Sequence, residues 1–271
     1  MKSLLKILRK IFGFFGYKII RETTARRWRS SEGRKNVLEK QLLFLSSLPP
    51  YQLRPALENL PKSNSQIFQD IFALAFSDFK RGGFFLEFGA TDGVKLSNTY
   101  LLEKEFGWTG ILAEPGKVWH SSLRDNRTSI IDTRCVWRSS NETLEFVEAG
   151  ELSTIRSFSA LTGYARHRED KPVYSVSTVS LVDLLSDHNA PTDIDYLSID
   201  TEGSEFEILQ NFDFSKYRIR VITCEHNYQP NREAIYDLLS NNGFHRVLEN
   251  ISGWDDWYVH ESVMLEREHS S

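Results

Sequence analysis

The residues best suited to chemistry are acids at the ends of short apolar runs. Glu87 lies near the end of FFLEF, and Glu114 directly follows TGILA. Asp200 and Glu225 directly follow IDYLSI and IRVITC. Continuous apolar runs separated by helical stretches predict a parallel sheet, and ligands of such sheets bind where the strands end. Asp200 and Glu225 are therefore predicted to lie around one pocket, together with Glu202 and His226.

The loop after the first strand has the composition of a nucleoside-cofactor loop. It reads Gly89-Ala90-Thr91-Asp92-Gly93. Glycine lets the backbone turn tightly and approach a ligand. Glu114 follows Gly93 by 21 residues, close to the spacing at which an acid hydrogen-bonds a ribose diol. Two other interpretations stay open: a turn that only reverses the chain, and a solvated acid at a strand end.

Asp92 favours S-adenosylmethionine over a dinucleotide. A dinucleotide places its pyrophosphate at a helix N-terminus, usually over G-x-G-x-x-G. This loop lacks the second glycine, and the Asp92 carboxylate would repel phosphate. S-adenosylmethionine has no phosphate, and its sulfonium and ammonium groups suit Glu87 and Asp92. An oxidoreductase that uses a dinucleotide is therefore the weaker hypothesis.

Composition limits the classes of protein to consider. The 271 residues are 40% apolar and 26% charged, as in a globular protein with one main core. Residues 1–35 contain eleven Lys or Arg and two Glu, which gives this segment a charge of +9. Since the net charge of the whole chain is −4, the remaining residues carry a charge of −13. This acidic body argues against nucleic acid as the partner. Cys135 and Cys224 lie in apolar runs, predicting buried thiols and a cytoplasmic protein.

The elements that must position the acids are predicted in four parts. Residues 1–35 are predicted to form a basic amphipathic helix and a linker, and residues 36–80 a helical extension with a helix over 64–80. Residues 81–260 are predicted to form the main domain, in which 141–179 is an inserted hairpin or lid. Residues 261–271 are predicted to be a tail. The predicted strands are 83–88, 109–113, 128–136, 194–199 and 219–224, followed by apolar runs at 244–248 and 256–259.

The first twenty residues combine apolar and basic side chains at helical spacing. Leu4, Leu8 and Ile11 lie on one predicted face, with Lys6 and Arg9 largely opposite. The charges interrupt any span long enough to cross a membrane. Two interpretations stay open: peripheral contact of residues 1–20 with the inner face of an anionic membrane, and packing on the same domain or on a second subunit of a homo-oligomer.

Three blocks of the sequence resemble the FkbM-type methyltransferases. They are FFLEFGATDGVKLSNTYLLEKEFGWTGILAEP, YLSIDTEGSEFEIL and VITCEHN, and the resemblance covers about residues 66–260. It implies an α/β fold: a Rossmann-like class I methyltransferase sheet, mostly parallel with the last strand antiparallel, helices on both faces, and an N-terminal helical extension. The family's members are mostly S-adenosylmethionine-dependent O-methyltransferases that act on sugar hydroxyls.

The resemblance also implies roles for individual residues. Glu87, Gly89 and Gly93 are expected at the methionine end of the cofactor, and Glu114 at the ribose. Asn98 and Thr99 are expected at the cofactor's carboxylate or as residues that order the loop; a role in capping the helix stays open. Val136 is expected either at adenine or in the core. The residues expected to contact the cofactor are Glu87, Gly89, Ala90, Thr91, Asp92, Gly93, Asn98, Thr99, Glu114, Pro115 and Val136. The family often has Asn where this chain has Thr91.

A second group of residues is expected to do the chemistry. Asp200, Glu202, Glu225 and His226 end or follow two neighbouring predicted strands. One role is a general base that takes the proton of a sugar hydroxyl, with His226 the strongest candidate among the histidines. The other is a set of ligands for Mg²⁺, which prefers oxygen. A third interpretation makes Glu202 and Glu205 helix-start acids.

The sequence therefore predicts a sugar O-methyltransferase whose acceptor is a glycan, glycolipid or nucleotide sugar. A non-catalytic nucleoside-binding module is the alternative. Trp254 and Trp257 are candidate sugar-stacking platforms, with core packing an equal contender. Residues 166–168 are predicted to be a solvated surface loop, with contact to an anionic substrate as the alternative.

Overall fold

The structure is a computed structural model, and it describes residues 36–160 and 163–270. The chain divides into two units, residues 1–47 and 48–271. In the first unit, residues 36–47 are helical. The amphipathic helix and linker predicted for residues 1–35 lie outside the described residues. No helix among the described residues is long and apolar enough to span a membrane.

The second unit contains strands and helices that are numbered here in chain order. The strands are β1 (Phe84–Phe88), β2 (Thr109–Ala113), β3 (Ile130–Asp132), β4 (Cys135–Trp137), β5 (Thr143–Val147), β6 (Thr154–Ile155), β7 (Val173–Ser180), β8 (Asp193–Ile199), β9 (Arg218–Glu225), β10 (Phe244–Val247) and β11 (Asp255–His260). The helices are α1 (Pro50–Asn59), α2 (Gln69–Phe76), α3 (Tyr100–Phe106), α4 (His120–Asn126), α5 (Ala165–Arg168), α6 (Leu181–Asp187), α7 (Glu205–Leu209), α8 (Arg232–Ser240), α9 (Glu249–Ser252) and α10 (Glu261–Ser270).

A seven-stranded sheet forms the centre of this unit, with the order β10-β11-β9-β8-β1-β2-β3. Strands β3, β2, β1, β8 and β9 are parallel, and β11 runs antiparallel to both β9 and β10. The mostly parallel Rossmann-like sheet with an antiparallel last strand is thus confirmed. The strand order reverses between β1 and β8, which is where sheets of this type open a crevice.

The register of the sheet brings the strand-end acids to one edge. Phe88 pairs with Ala113 on one side and with Ile199 on the other, and Ile199 pairs with Cys224. The residues that follow these strand ends therefore emerge side by side. Strands β1, β2, β8, β9 and β11 are mostly buried. Their apolar side chains form the main core, which includes Leu86, Leu197 and Ile222.

A second, four-stranded sheet has the order β4-β7-β5-β6. It corrects two predictions. The strand predicted over 128–136 is two strands in different sheets, because Asp132 accepts hydrogen bonds from the Arg134 backbone and side chain and turns the chain between them. The insert predicted over 141–179 is part of this sheet, which has a small core of its own that includes Trp137, Phe146 and Ile155.

Both ends of the predicted main domain also differ. Helix α2 belongs to the second unit, because Phe72 stacks on Trp257 at 4.6 Å and Gln69 donates to Asp255. The boundary therefore lies at residues 47–48, not at 80–81, and α2 is shorter than the helix predicted over 64–80. The predicted tail forms helix α10, where Val263 is buried.

Candidate active site

A cavity of about 320 Å³ opens where β1, β2, β8 and β9 end. Its volume lies in the range of small-molecule sites, roughly 300–1,000 Å³. Residues from the second sheet and its connections, such as Ile155 and Leu152, complete the wall. The predicted site residues that line it are Glu87, Gly89, Ala90, Thr91, Asn98, Glu114, Pro115, Val136, Asp200, Glu202 and Glu225.

Three residues expected at the cofactor have other contacts instead. Asp92 Oδ1 accepts from the backbone N–H groups of Val94 and Lys95, 2.8 Å each, and so closes the loop on itself. Gly93 has a φ of 76°, and a side chain there would collide with Leu123 and Arg127. Thr99 is fully buried, and its hydroxyl donates to Glu87.

Glu87 organises the turn that presents Asn98 to the cavity. Its Oε1 accepts from the Asn98 N–H at 2.6 Å, and its Oε2 accepts from the hydroxyls of Ser97 and Thr99. Arg127, buried beneath the turn, donates to Ser97 and Thr99. Ser97 Oγ accepts from the Thr99 and Tyr100 N–H groups, directly before and at the first residue of α3. The side chains of Asn98 and Thr99 therefore do not cap the N-terminus of α3.

Asn98 leaves one polar atom without a partner. Its Nδ2 donates to Ser198 Oγ at 2.9 Å, whereas its Oδ1 is buried and makes no hydrogen bond. An unpaired buried acceptor costs about 1–3 kcal/mol unless a ligand satisfies it. An ammonium group such as that of S-adenosylmethionine is a donor of the required kind, so the residues present fit this cofactor.

Glu114 is held by backbone donors on both oxygens. Oε2 accepts from the Thr91 N–H at 2.8 Å, and Oε1 accepts from the Gly116 N–H at 2.7 Å. Burial raises the pKa of Glu114 to about 7, although the two backbone donors oppose the shift. Each carboxylate oxygen keeps a second lone pair for a hydroxyl donor. Glu114 can therefore accept a ribose hydroxyl, and its charge changes near neutral pH.

Asp200, Glu202 and Glu225 form an acid trio, with carboxylate oxygens within 4.8 Å of one another. Asp200 follows β8 and Glu225 ends β9, and their side chains hydrogen-bond each other. Burial first, and repulsion from the neighbouring carboxylates second, raise the pKa of both Asp200 and Glu225 well above the ordinary range. Each carboxyl group of this pair therefore holds a proton more tightly than a solvated carboxyl group does.

Glu202 differs from the other two members because it is ion-paired. Arg168 of α5 donates from Nη2 to Glu202 Oε2 at 2.8 Å, with both side chains nearly inaccessible to solvent. Arg168 Nε also donates to the Leu152 carbonyl at 2.7 Å. The prediction of a solvated surface loop is thus wrong for Arg168, and sequence reasoning missed its partner because 34 residues separate the two.

Glu205 holds the loop after Asp200 together. Its Oε1 accepts from the Thr201 N–H, the Thr201 hydroxyl and the Gly203 N–H, all at 2.9–3.0 Å. Glu205 is the first residue of α7. The interpretation as a helix-start acid therefore describes Glu205, whereas Glu202 lies in the cavity wall.

His226 does not face the cavity, which contradicts its predicted role as the base. The side chain is almost fully buried, and Nδ1 accepts from the Tyr228 N–H at 2.9 Å. Nε2 lies 3.7 Å from Asp256 Oδ1. Burial also lowers the pKa of His226. Sequence spacing placed His226 beside Glu225, but the chain leaves β9 at Glu225, and the His226 side chain lies against Asp256 of β11.

The two candidate tryptophans occupy different environments. Trp254 lines the cavity. Trp257 is completely buried and stacks on Phe72, so core packing is its role. Sugar stacking and core packing were equal predictions for both residues, and only the path of the chain after α9 distinguishes Trp254 from Trp257.

The trio could hold a cation by its geometry alone, since three carboxylate oxygens converge. Its electrostatics favour a different use. The Arg168 guanidinium already neutralises Glu202 at 2.8 Å, and a divalent ion on the same carboxylate would be repelled at short range. The arrangement fits proton sharing between Asp200 and Glu225 better than Mg²⁺ binding.

Comparison with known proteins gives one family and a set of distant structures. A family model described as the methyltransferase FkbM domain matches residues 87–254. No curated protein matches significantly. A methyltransferase FkbM from Methylobacillus flagellatus is 15% identical with a TM-score of 0.43, over 83% of this chain and 59% of that one. A precorrin-6y methyltransferase from Geobacter metallireducens is 12% identical with a TM-score of 0.35, over 66% of this chain and 71% of that one.

Proposed function

The chain belongs to the FkbM methyltransferase family, and on that premise we propose that it is an S-adenosylmethionine-dependent O-methyltransferase for a sugar hydroxyl. One observation carries the proposal: a single cavity has the unpaired Asn98 Oδ1 and Glu114 in one part of its wall and the Asp200–Glu225 pair in another. The first set suits a cationic nucleoside cofactor. The second set suits removal of a hydroxyl proton.

The cofactor is proposed to bind along β1 and β2. Asn98 Oδ1 would accept from its ammonium group, and Glu114 would accept from its ribose hydroxyls. Cys135 and Val136, which also line the cavity, would supply an apolar wall for adenine. When bound, S-adenosylmethionine supplies an electrophilic methyl group.

The Asp200–Glu225 pair is the proposed general base. A sugar hydroxyl is a poor nucleophile near pH 7, so a positioned group that accepts its proton accelerates the reaction. Because burial and mutual repulsion raise the pKa of both acids, the pair is a stronger base than a solvated carboxylate. Orientation of the hydroxyl by these residues contributes further acceleration.

The environments of the two cysteines also favour direct transfer of the methyl group from cofactor to acceptor. Burial raises the pKa of the Cys135 thiol to about 12 and that of the Cys224 thiol well above its ordinary range. Neither side chain is then a thiolate near neutral pH, and the thiolate is the nucleophilic form. We therefore propose transfer from cofactor to acceptor without a covalent enzyme intermediate.

The experiment pairs binding with turnover. Calorimetry is expected to show binding of S-adenosylhomocysteine and none of NAD. Transfer of a radiolabelled methyl group to UDP-sugars and methyl glycosides is then expected for at least one compound. NAD binding without S-adenosylhomocysteine binding would favour an oxidoreductase. S-adenosylhomocysteine binding with no transfer to any sugar would favour the non-catalytic module or another acceptor class.

A further inference from the structure

The loop after β9 holds an exposed aromatic residue that is next in sequence to a residue of the cavity lining. Glu225 and Asn227 line the cavity, and Tyr228 follows them with 71% of its surface exposed. Trp254, on the segment before β11, lines the cavity beside this loop: its carbonyl accepts from the N–H groups of His226 and Asn227 at 2.9 and 3.1 Å. This loop and Trp254 form the rim, in which Trp254 lines the cavity and the solvent-facing Tyr228 follows the lining residue Asn227.

The backbone that presents Tyr228 is strained. Asn227 and Tyr228 have φ values of 43° and 56°, and a positive φ is rare for a bulky side chain and unfavourable by about 1–3 kcal/mol. The exposed ring gains little from burial to offset this cost. Strain that local packing does not repay is concentrated at ligand-binding sites. A strained, exposed tyrosine next to a cavity-lining residue is thus a candidate for contact with a ligand.

His226 holds this conformation in place. Its Nδ1 accepts from the Tyr228 N–H at 2.9 Å, so the ring proton is on Nε2, the nitrogen that faces Asp256. The imidazole also meets the Tyr228 ring edge-on, with centroids 5.2 Å apart. Asp256 is in turn held by Arg232 at 2.7 Å. A buried, anchored histidine therefore fixes both the backbone and the ring of Tyr228.

We propose that Tyr228 and Trp254 form the platform on which the acceptor's sugar ring stacks, and that His226 is the positioning residue for Tyr228. A pyranose has an apolar C–H face that packs on an aromatic ring, and a hydroxyl edge that hydrogen-bonds to carboxylates and amides. Stacked on this rim, the sugar would turn its hydroxyl edge toward Asn227 and the Asp200–Glu225 pair. The proposal rests on the proposed function and names how that site selects its acceptor.

Binding of simple glycosides tests the platform separately from catalysis. The probes are methyl α-D-glucopyranoside, methyl α-D-galactopyranoside, methyl α-D-mannopyranoside and methyl α-L-rhamnopyranoside, followed by saturation-transfer NMR with S-adenosylhomocysteine present. At least one is expected to bind. Tyr228→Ala is expected to raise its Kd about tenfold, the loss of roughly one aromatic contact, whereas Tyr228→Phe keeps the stacking face and the affinity. Tyr51→Ala, which removes an exposed tyrosine whose neighbours in sequence do not line the cavity, is the matched control.

A second pair of variants tests the positioning role. His226→Ala is expected to raise the glycoside Kd as much as Tyr228→Ala, with S-adenosylhomocysteine binding unchanged. His226→Asn places an amide oxygen near the position of Nδ1 and is expected to restore part of the affinity. Normal glycoside binding by His226→Ala would overturn the positioning role, and equal binding by Tyr228→Ala and the unmodified protein would overturn the platform.

The outcomes separate the platform from the proposed function. Glycoside binding that depends on Tyr228, without methyl transfer, would support the platform and contradict the enzyme. Methyl transfer to a sugar that is unchanged in Tyr228→Ala would support the enzyme and contradict the platform. Failure of every glycoside to bind, with binding of catechol as a planar control, would overturn the sugar platform in favour of an aromatic acceptor.

Discussion

Glu114 links the binding of the cofactor to pH at the scale of a single residue. Burial raises its pKa to about 7, and only the ionised form offers acceptors on both oxygens to a ribose diol. Binding through that form is lost as the carboxyl protonates. The affinity is therefore expected to depend on pH within the neutral range, where an ordinary glutamate is already fully ionised.

We expect the affinity for S-adenosylhomocysteine to be constant above about pH 8 and to fall up to tenfold per pH unit below about pH 7. The sign follows from the raised pKa, since protons compete with the ribose hydroxyls for Glu114. Calorimetric titration between pH 5.5 and 8.5 measures it. Glu114→Gln, which has no charge to lose, should bind more weakly and with little pH dependence. If the affinity of Glu114→Gln depends on pH as strongly as that of the unmodified protein, acids other than Glu114 cause the effect.

Asp200 is expected to affect turnover and not binding of the cofactor. Removal of a general base costs typically about 10²–10⁴-fold in rate, so Asp200→Asn should lower kcat by that order with S-adenosylhomocysteine affinity nearly unchanged. Glu207→Gln, a change to an acid outside the cavity lining, is the control. The assay is methyl transfer from labelled cofactor.

Treatment with EDTA separates the two uses of the acid trio. Because Arg168 already neutralises Glu202, we expect full activity after EDTA and no stimulation by Mg²⁺. Activity that EDTA removes and Mg²⁺ restores would instead make Asp200 and Glu225 metal ligands.

At the scale of elements, helix α5 joins the smaller sheet to the catalytic edge of the larger one. Arg168 binds Glu202 and the Leu152 carbonyl, and the Thr154 hydroxyl donates to the Glu202 carbonyl at 3.0 Å. Leu152 and Ile155 line the cavity from the same segment. One buried ion pair therefore ties the cavity wall to the loop that carries Glu202.

We expect Arg168→Gln to lower the free energy of unfolding by about 3–5 kcal/mol, since a buried Glu202 would be left without its partner. Denaturant titration measures the change. The double variant Arg168→Gln/Glu202→Gln should recover much of the loss, because no unpaired buried charge remains. Arg166→Gln, on the exposed side of the same helix, should have little effect. Equal losses in the single and double variants would show that packing, and not charge, matters at Arg168.

At the scale of the whole molecule, positive and negative charge are concentrated in different parts of the chain. Residues 1–35 carry +9 and the remainder −13, and every cavity-lining residue belongs to the second unit. The basic segment is therefore proposed to serve location or assembly, by attraction to anionic lipid or by contact with a second copy.

We expect a protein that begins at Asn36 to keep its affinity for S-adenosylhomocysteine and its methyl transfer. The full chain should float with phosphatidylglycerol vesicles in a salt-sensitive manner, since electrostatic attraction is screened, and the truncated protein should not. A change of molecular mass on gel filtration upon truncation, without vesicle binding by the full chain, would favour packing between subunits. Loss of cofactor binding would show that the segment belongs to the folded core.

The sequence alone determined the larger sheet and the acids at its strand ends that line the cavity. Buried parallel strands are continuous apolar runs, and the residues that end them must meet at one edge. Asp200 and Glu225 could therefore be placed at one pocket, and Glu87 and Glu114 at strand ends near the cofactor, without coordinates. The loop from Gly89 to Gly93 was equally readable, because turn chemistry is local.

Only the tertiary structure decided which of these residues act and which support. His226 is turned from the cavity by a partner in another strand, Asp256, and Arg168 is buried by an acid 34 residues away. Asp92 closes its own loop although its type and position suit a cofactor. Periodicity and spacing report which elements form and where they end. The direction of a side chain and the partner of a buried charge depend on packing between segments distant in sequence, which local pattern does not encode.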